Sequence, residues 1–151
     1  MKTKTAFTLL ISSFILVFSS CEKSLFPVKG NGDVTAETRS ISGFDRVANE
    51  GQFDVYIIQD DESSIRIEAE SNLIGRIRTR LNGSTLEIDS KDNLKPSRPM
   101  KLFIHTPNMN GIALSGSGII DLGTIVTDDL SVNEDENIDG RYIFDAIGTL
   151  N

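Results

Sequence analysis

The sequence predicts an all-β protein, and three observations indicate this class. Short stretches alternate apolar and polar residues with a period of two, which is typical of strands buried on one face. Turn-forming residues separate these stretches, and no stretch before residue 140 has a helical period. A pattern of apolar positions recurs at a spacing near twenty, which is typical of stacked β-coils. We therefore expect a solenoid-like stack of short strands, with a β-sandwich as the alternative.

The first twenty residues have the order of an export signal. Lys2 and Lys4 form a positive start, residues 6–18 are an apolar run, and two small serines follow. The thirteen-residue run is shorter than the roughly 20 residues that span a bilayer. We therefore expect residues 1–20 to be a cleaved signal peptide and the protein to be exported.

Cys21 is the only cysteine and directly follows this signal. The stretch "FSSC" resembles a bacterial lipobox, in which the cysteine is lipidated and becomes the mature N-terminus, although Phe18 replaces the usual leucine. Ordinary cleavage that leaves a spare thiol is the alternative. We expect a lipid on Cys21 to anchor the chain in the cell envelope, at the outer membrane. Residues 21–32 are then a tether, and residues 33–151 the folded domain.

The charge of the chain excludes some partners. Loss of residues 1–20 removes two lysines and no acid, so the formal charge changes from −7 to −9. A strongly acidic surface argues against nucleic acid as a partner, and equally against electrostatic attachment to anionic lipid. With no second cysteine, an apolar core has to hold the fold without a disulfide.

Alternation predicts three strands in the middle of the chain. A loop with two prolines, residues 93–99, precedes the last of them, because proline does not fit a central strand. The side chains expected to be buried are Phe53, Val55 and Ile57 in "GQFDVYIIQ", Ile65, Ile67 and Ala69 in "SIRIEAES", and Leu102 and Ile104 in "MKLFIHTP".

A hairpin is predicted over residues 76–89. Asn82 and Gly83 are the preferred central residues of a type I′ turn, in which both need positive φ. This register places Arg78 opposite Glu87, so cross-strand charge pairing explains the alternating arginines. An anion-binding row of arginines is the alternative.

A repeat follows the third strand. The stretch "GIALSGSGIIDL" aligns, 18 residues later, with "DLSVNEDENIDG", so that Ile112 falls on Leu130. An earlier echo is the stretch 51–55, which has the spacing of 116–120. Apolar positions recur while the turn between them changes, as expected for stacked coils.

Three stretches in order resemble one known family. They are "SISGFDRVANEGQFDVYIIQ" (40–59), "LNGSTLEI" (81–88) and "IHTPNMNGIALSGSG" (104–118). Together they are similar to the putative auto-transporter adhesin, head GIN domain family. The similarity runs over about 30–132. The resemblance implies a short right-handed β-helix in a secreted or lipid-anchored protein of a Gram-negative bacterium.

The chain departs from this family in two places. The second "SGSG" turn expected near residue 134 reads "EDEN", and the chain stops at Asn151, where the family usually continues. The last coil is therefore either degenerate or shortened at its C-terminus. A solenoid without a cap leaves its strand edges available for pairing.

The stretch "LSGSG" could carry a nucleophile or a phosphate, but its spacing fits neither. Ser117 has Gly116 and Gly118 directly beside it, whereas a nucleophile elbow reads Gly-x-Ser-x-Gly before a helix. His105, the only histidine, lies in a predicted strand. A phosphate loop would also need to enter a helix. We expect Gly116 and Gly118 to be turn residues that permit positive φ and close backbone approach.

The acidic stretch "DENIDG" is a weak calcium candidate. Asp135, Asn137 and Asp139 match the opening of a calcium loop. The twelfth position, which should be a bidentate carboxylate, is Ala146. The alternative is a solvated acidic loop, and we expect no metal or other cofactor.

The function expected from these observations is a non-catalytic, lipid-anchored module that binds a surface glycan or protein as an adhesin. Two alternatives remain open. One is a structural protein that self-associates through the edges of the stack. The other is a carbohydrate-active enzyme, which needs a clustered acid and base that the sequence does not assemble. The absence of Trp, with Tyr56 and Tyr142 as the only tyrosines, weakens carbohydrate binding without excluding it.

Overall fold

A computed structural model of the chain describes residues 26–127, 130–134, 141–143 and 146–148. The all-β prediction is confirmed: in these ranges the only helical segment is a 3₁₀ turn, Ile74–Arg76. The strands are β1 Val28–Lys29, β2 Val34–Arg39, β3 Arg46–Asn49, β4 Asp54–Gln59, β5 Ser64–Glu70, β6 Ile77–Asn82, β7 Thr85–Ser90, β8 Leu94–Lys95, β9 Lys101–Thr106, β10 Gly111–Leu114, β11 Ile119–Asp121, β12 Thr124–Val126, β13 Ser131–Glu134, β14 Arg141–Ile143 and β15 Ala146–Gly148.

Two large sheets share one order of chain segments. The five-stranded sheet runs β13-β10-β3-β7-β6, and the six-stranded sheet runs β14-β11-β4-β9-β5-β2. Neighbours from β13 to β7 and from β14 to β9 are parallel. Consecutive strands such as β3 and β4, β10 and β11, or β13 and β14 thus lie one in each sheet, as a stack of coils requires. The facing sheets are also compatible with a sandwich, so a right-handed solenoid stays a prediction.

One hydrophobic core joins the inner faces of both sheets. The strand alternation predicted for β4, β5 and β9 is confirmed, because every apolar residue expected to be buried there is at most 2% exposed. The five-stranded sheet contributes Val47, Leu86, Ile88, Ile112 and Leu114 from the opposite side. The outer face keeps Arg66, Ile58 and other partly or fully exposed side chains.

The hairpin forms with a different turn from the one predicted. Asn82 is the last residue of β6 and pairs with Thr85, so Gly83 and Ser84 are the central residues. Gly83 has a φ of +60°, and no non-glycine residue in the described ranges has positive φ, which fits a type II′ turn rather than type I′. The predicted turn centre is therefore wrong by one residue. The Ser84 carbonyl accepts hydrogen bonds from the backbone N–H groups of Asp45 and Arg46, and this contact with the neighbouring segment favours the observed turn.

The shifted turn also changes the charge pairs. Arg78 donates two hydrogen bonds of 2.6 Å to Asp89 rather than facing Glu87. Arg80 lies 3.6 Å from Glu87 and 3.1 Å from Asp89. The alternating arginines are therefore neutralised within the hairpin, which leaves no row of cations for an anion there.

The repeat is present, but its predicted alignment is wrong. Ile112 pairs with Val132 rather than Leu130, an offset of 20 residues. Further along, Ile120 pairs with Tyr142, an offset of 22 residues. Six residues separate β13 from β14 and four separate β10 from β11, which accounts for the change in offset from 20 to 22. The earlier echo is confirmed, since Ile120 pairs with Val55.

The chain is ordered before the predicted domain start at residue 33. Val28 and Lys29 pair in parallel with Leu94 and Lys95. The Gly32 N–H donates to the buried carboxylate of Glu70 at 2.5 Å. Residues 28–32, which the sequence assigned to the tether, therefore belong to the folded domain.

Glu70 joins this N-terminal segment to the loop after β8. Its carboxylate accepts hydrogen bonds from the Ser97 hydroxyl at 2.5 Å and from the Ser97 N–H at 2.8 Å. The Ser97 hydroxyl, together with backbone N–H groups of Ser97, Gly32 and Arg98, lowers the pKa of Glu70 below its ordinary value, although desolvation acts in the opposite direction. The ionised carboxylate thus holds the segment before β2 and the loop after β8 together through hydrogen bonds to Gly32 and Ser97.

Gly116 and Gly118 lie where the chain turns from β10 to β11. Neither has positive φ, so that part of the expectation is wrong. A Cβ on Gly116 would collide with the backbone of Gly51, and one on Gly118 with the backbone of Phe53. The adjacent N–H groups of Ser115 and Ile119 donate to backbone carbonyls of the same neighbouring segment. Close backbone approach is therefore what these glycines permit.

We expect Gly116→Ala to lower the free energy of unfolding by about 1–3 kcal/mol or to prevent folding, because the added methyl meets rigid backbone. The matched control is Gly75→Ala, where an added Cβ has no heavy atom within 4 Å and φ is not positive. That change should be neutral or slightly stabilising. Urea unfolding followed by circular dichroism measures both, and equal midpoints for the two variants would contradict the close-approach role.

We expect Glu70→Gln to unfold at lower urea concentration than the wild type at pH 7, because a neutral amide loses charge-assisted hydrogen bonds. The folded pKa of Glu70 lies below the ordinary value of 4.5. The stability that ionised Glu70 contributes is therefore complete above pH 4.5 and is lost as pH falls through the folded pKa. The variant should accordingly lose less stability than the wild type between pH 5 and pH 3.

Glu50→Gln is the control for Glu70→Gln, since Glu50 is exposed and its side chain has no hydrogen-bond partner in the described residues. Its urea midpoint should follow the wild type at each pH. Identical pH profiles for Glu70→Gln and the wild type would show that the Glu70 charge is not what closes the loops.

Candidate functional site

A cleft of about 500 Å³ lies along the corners where strands of the two large sheets are connected. Three chain segments form most of it. They are the turn between β3 and β4, the connection from β7 to β8, and the turn after β10, and Met100, directly before β9, adds to them. The lining residues of this corner cleft are Glu50, Gly51, Gln52, Phe53, Ser90, Asp92, Asn93, Leu94, Met100, Gly116 and Ser117.

The floor of the corner cleft is apolar and fixed. Phe53, Met100 and Leu94 are at most 5% exposed. Gln52 donates from its side-chain amide to the Leu94 carbonyl at 2.7 Å, which ties two of the three corners together. A floor that belongs to the core keeps its shape whether or not a ligand is present.

Asn49 sets the turn that begins one side of the cleft. Its side chain is completely buried. The amide nitrogen donates to the Phe53 carbonyl at 2.9 Å, and the amide oxygen accepts from the Gly51 N–H at 3.2 Å. Both backbone groups are thereby satisfied inside the corner, as buried polar groups require. Sequence reasoning missed Asn49, because an asparagine at a strand end is an ordinary turn signal.

The rim of the cleft carries polar groups of two kinds. Asp92 is engaged by an ion pair with Arg76, and its carbonyl accepts from the Ser90 hydroxyl at 2.8 Å. Glu50, Asn93 and Ser117 are exposed, and their side chains have no hydrogen-bond partner among the described residues. One carboxylate, one amide and one hydroxyl are therefore available to a ligand around an apolar floor, which is the usual composition of a small-molecule site.

The structure brings some predicted residues to this cleft and leaves others away from it. Gly116 and Ser117 line it, and Gly118 adjoins it in the chain. Asn82 and Gly83 lie at the hairpin end of the five-stranded sheet. Cys21 lies outside the described residues, as does the calcium candidate Asp135, Asn137 and Asp139. Within the described part of the chain, no three His, Cys, Asp or Glu side chains are grouped as metal ligands would be.

His105 is not one of the residues that line the cleft beside Ser117. Its Nδ1 atom lies 3.0 Å from a carboxylate oxygen of Asp60. The hydrogen bond from His105 is the main cause that lowers the pKa of Asp60. This pair closes the turn after β4, so the histidine has a local partner rather than a serine to activate.

An aromatic pair marks the outer face of the six-stranded sheet. Tyr56 and Phe103 are cross-strand neighbours with ring centres 5.1 Å apart and nearly parallel planes. The Arg66 guanidinium lies 5.8 Å from the Phe103 ring centre. The Phe103 ring therefore contacts the Tyr56 ring from β4 and the Arg66 guanidinium from β5.

The matching family model covers residues 43–146, well over half of the chain, and describes the putative auto-transporter adhesin, head GIN domain. No curated protein matches the sequence. No helix in the described residues is long and apolar enough to cross a membrane.

Three solved structures are similar in fold. A putative adhesin from Bacteroides fragilis is 17% identical with a TM-score of 0.72, and the match covers 81% of this chain and 57% of that one. A putative adhesin from Parabacteroides merdae is 16% identical with a TM-score of 0.69, covering 81% and 60%. A putative lipid binding protein from Parabacteroides distasonis is 18% identical with a TM-score of 0.67, covering 82% and 63%.

The chain spans about three fifths of the length of these solved relatives, and at such identities the likeness shows the fold alone. The resemblance found in the sequence is confirmed by the family match, which includes the stacked strands and the corners of the cleft. This chain belongs to the head GIN domain family of putative auto-transporter adhesins.

Proposed function

We propose that this protein is an exported lipoprotein, anchored through Cys21, that binds a ligand in the corner cleft as an adhesin-like module without catalysis. The observation that carries the proposal is the cleft itself. It combines a buried apolar floor with the unpaired side chains of Glu50, Asn93 and Ser117. The family membership supports an adhesin-like function in general terms.

The arrangement of carboxylates favours binding over catalysis. Glu50 and Asp92 are the carboxylates that line the cleft, and Asp92 is held in an ion pair by Arg76. A glycosidase needs two cooperating carboxyl groups, one of which keeps a proton near neutral pH. With Asp92 held by Arg76, Glu50 is the one lining carboxylate whose side chain has no partner among the described residues, so the cleft does not present two cooperating carboxyl groups.

A polyhydroxylated ligand fits the rim chemistry. A carboxylate accepts hydrogen bonds from sugar hydroxyls, and an amide and a serine hydroxyl both donate and accept. Gln52 and Ser90 are already engaged with Leu94 and Asp92, so they shape the cleft rather than compete for ligand. We therefore propose a neutral glycan as the ligand class to test first.

For the anchor, we expect Cys21→Ala to abolish incorporation of radioactive palmitate into the protein in growing cells, because the thiol is the acylation site. Ser24→Ala, three residues further along, is the matched control and should label like the wild type. Membrane fractions analysed by electrophoresis and autoradiography give the readout. Equal labelling of Cys21→Ala and the wild type would contradict lipidation at this residue.

For the cleft, we expect a neutral glycan identified on an array to bind Glu50→Gln at least about tenfold more weakly than the wild type, since a hydrogen bond to a charged group is lost. Glu62→Gln changes an exposed acid in a turn outside the cleft and should bind normally. Titration calorimetry with the array hit measures both variants. Equal weakening of both, or no change in either, would place binding elsewhere.

A further inference from the structure

The cations of this acidic protein are not evenly neutralised. Six arginines in the described residues each have a carboxylate within 4.0 Å. Among the cations whose side chains the structure describes, five have side chains without a carboxylate partner, and all five lie in β1 or in the segment 91–101. They are Lys29, Lys91, Lys95, Arg98 and Lys101.

Lys29 and Lys95 form the centre of this group. The two residues are register partners in the parallel pair β1–β8, so their side chains leave the same face of neighbouring strands, about 5 Å apart. Both residues are exposed, whereas their neighbours Val28 and Leu94 are turned inward. Like charges placed side by side destabilise a sheet, so this pair favours an external anion.

Two acids near this pair are already engaged by other groups. Asp92 is held by Arg76, and Glu70 is buried under hydrogen bonds from the loops that it closes. Asp33 is the exposed acid on the N-terminal segment. Lys91 and Arg98, both exposed, lie within four residues of Lys95. Lys101 differs, because Asp54 and Glu68 flank it on both neighbouring strands.

The proposed anchor would hold this face close to a membrane. Val28 is the first residue of β1 and lies seven residues after Cys21, which an extended chain spans in at most about 25 Å. Phe26, between them, is 81% exposed. Attraction between charges acts over about 8 Å at physiological ionic strength, and a link of this length allows the cations to come within that range of headgroups.

We infer that the face formed by Lys29, Lys91, Lys95 and Arg98, the basic edge, docks against anionic phospholipid headgroups of the membrane that holds the anchor. This inference rests on the proposed lipid anchor. The net charge of the domain opposes such attachment, and the local grouping of unpaired cations overcomes this at one face only.

The test is lysine footprinting of the full-length protein, purified from membranes and reconstituted into vesicles. One set of vesicles is phosphatidylcholine alone, and the other is an equimolar mixture with phosphatidylglycerol. We expect acetylation of Lys29, Lys91 and Lys95, followed by mass spectrometry, to slow at least about fivefold in the anionic vesicles, since each basic group near such a surface contributes about that factor. Lys101 is the internal control and should react equally in both.

Two double variants separate the basic edge from general charge. Lys29→Gln with Lys95→Gln should remove the protection of Lys91. Arg46→Gln with Arg80→Gln removes two charges whose side chains are 55% and 52% exposed elsewhere, and should leave the protection intact. High salt should also remove it, because the attraction is screened.

The outcomes distinguish the docking from the anchor. Flotation with phosphatidylcholine vesicles measures the anchor alone, and its failure would contradict lipidation at Cys21. If the anchor fails, the same footprint with protein added to preformed anionic vesicles still measures docking. Equal reactivity of Lys29, Lys91 and Lys95 in the two vesicle types, which an anionic polysaccharide partner would give, overturns the inference.

Discussion

The fold depends on close backbone contact between successive corners of the stacked segments. β10 lies on β3 and β11 lies on β4 in parallel register, so the turn that joins β10 to β11 must pass directly over the turn that joins β3 to β4. Gly116 and Gly118 leave no side chain in that space, where any Cβ would meet the backbone of Gly51 or Phe53. Both sheets therefore keep the same segment order only because the corners can touch.

The corner cleft follows from this constraint. The Asn49 amide satisfies backbone groups of the turn between β3 and β4. The turn between β10 and β11 contains Gly116 and Gly118, so these two positions put no side chain into the space outside it. Gln52 connects the turn between β3 and β4 to β8. The result is a depression whose floor is the core and whose rim is polar. A site built in this way needs no mobile loop, and its shape is set by the same contacts that fold the domain.

The alternation of apolar and polar residues was enough to predict features that depend only on neighbouring residues in the chain. Alternation identified the buried faces of β4, β5 and β9, because side chains on a strand point to opposite sides whatever lies beyond it. Glu70 shows the limit, since its place in the alternation indicated exposure, yet it is buried by hydrogen bonds to Ser97 and Gly32. The hairpin turn was missed by one residue because the choice depends on bonds from Asp45 and Arg46 to Ser84. The cleft was missed because its three segments are far apart in sequence.

The electrostatic behaviour of the domain also depends on how the fold arranges its charges and not only on their sum. The formal charge of −7 for the chain, or of −9 without residues 1–20, argues against attraction to an anionic surface if the charges are averaged. Arginines in the hairpin and on the sheets are matched with acids one by one, which removes both signs together from the balance. The cations that remain unpaired include Lys29 and Lys95, which are register partners in β1 and β8. Net charge thus describes the repulsion of the whole domain at long range, whereas orientation at a surface depends on which cations the fold leaves unmatched.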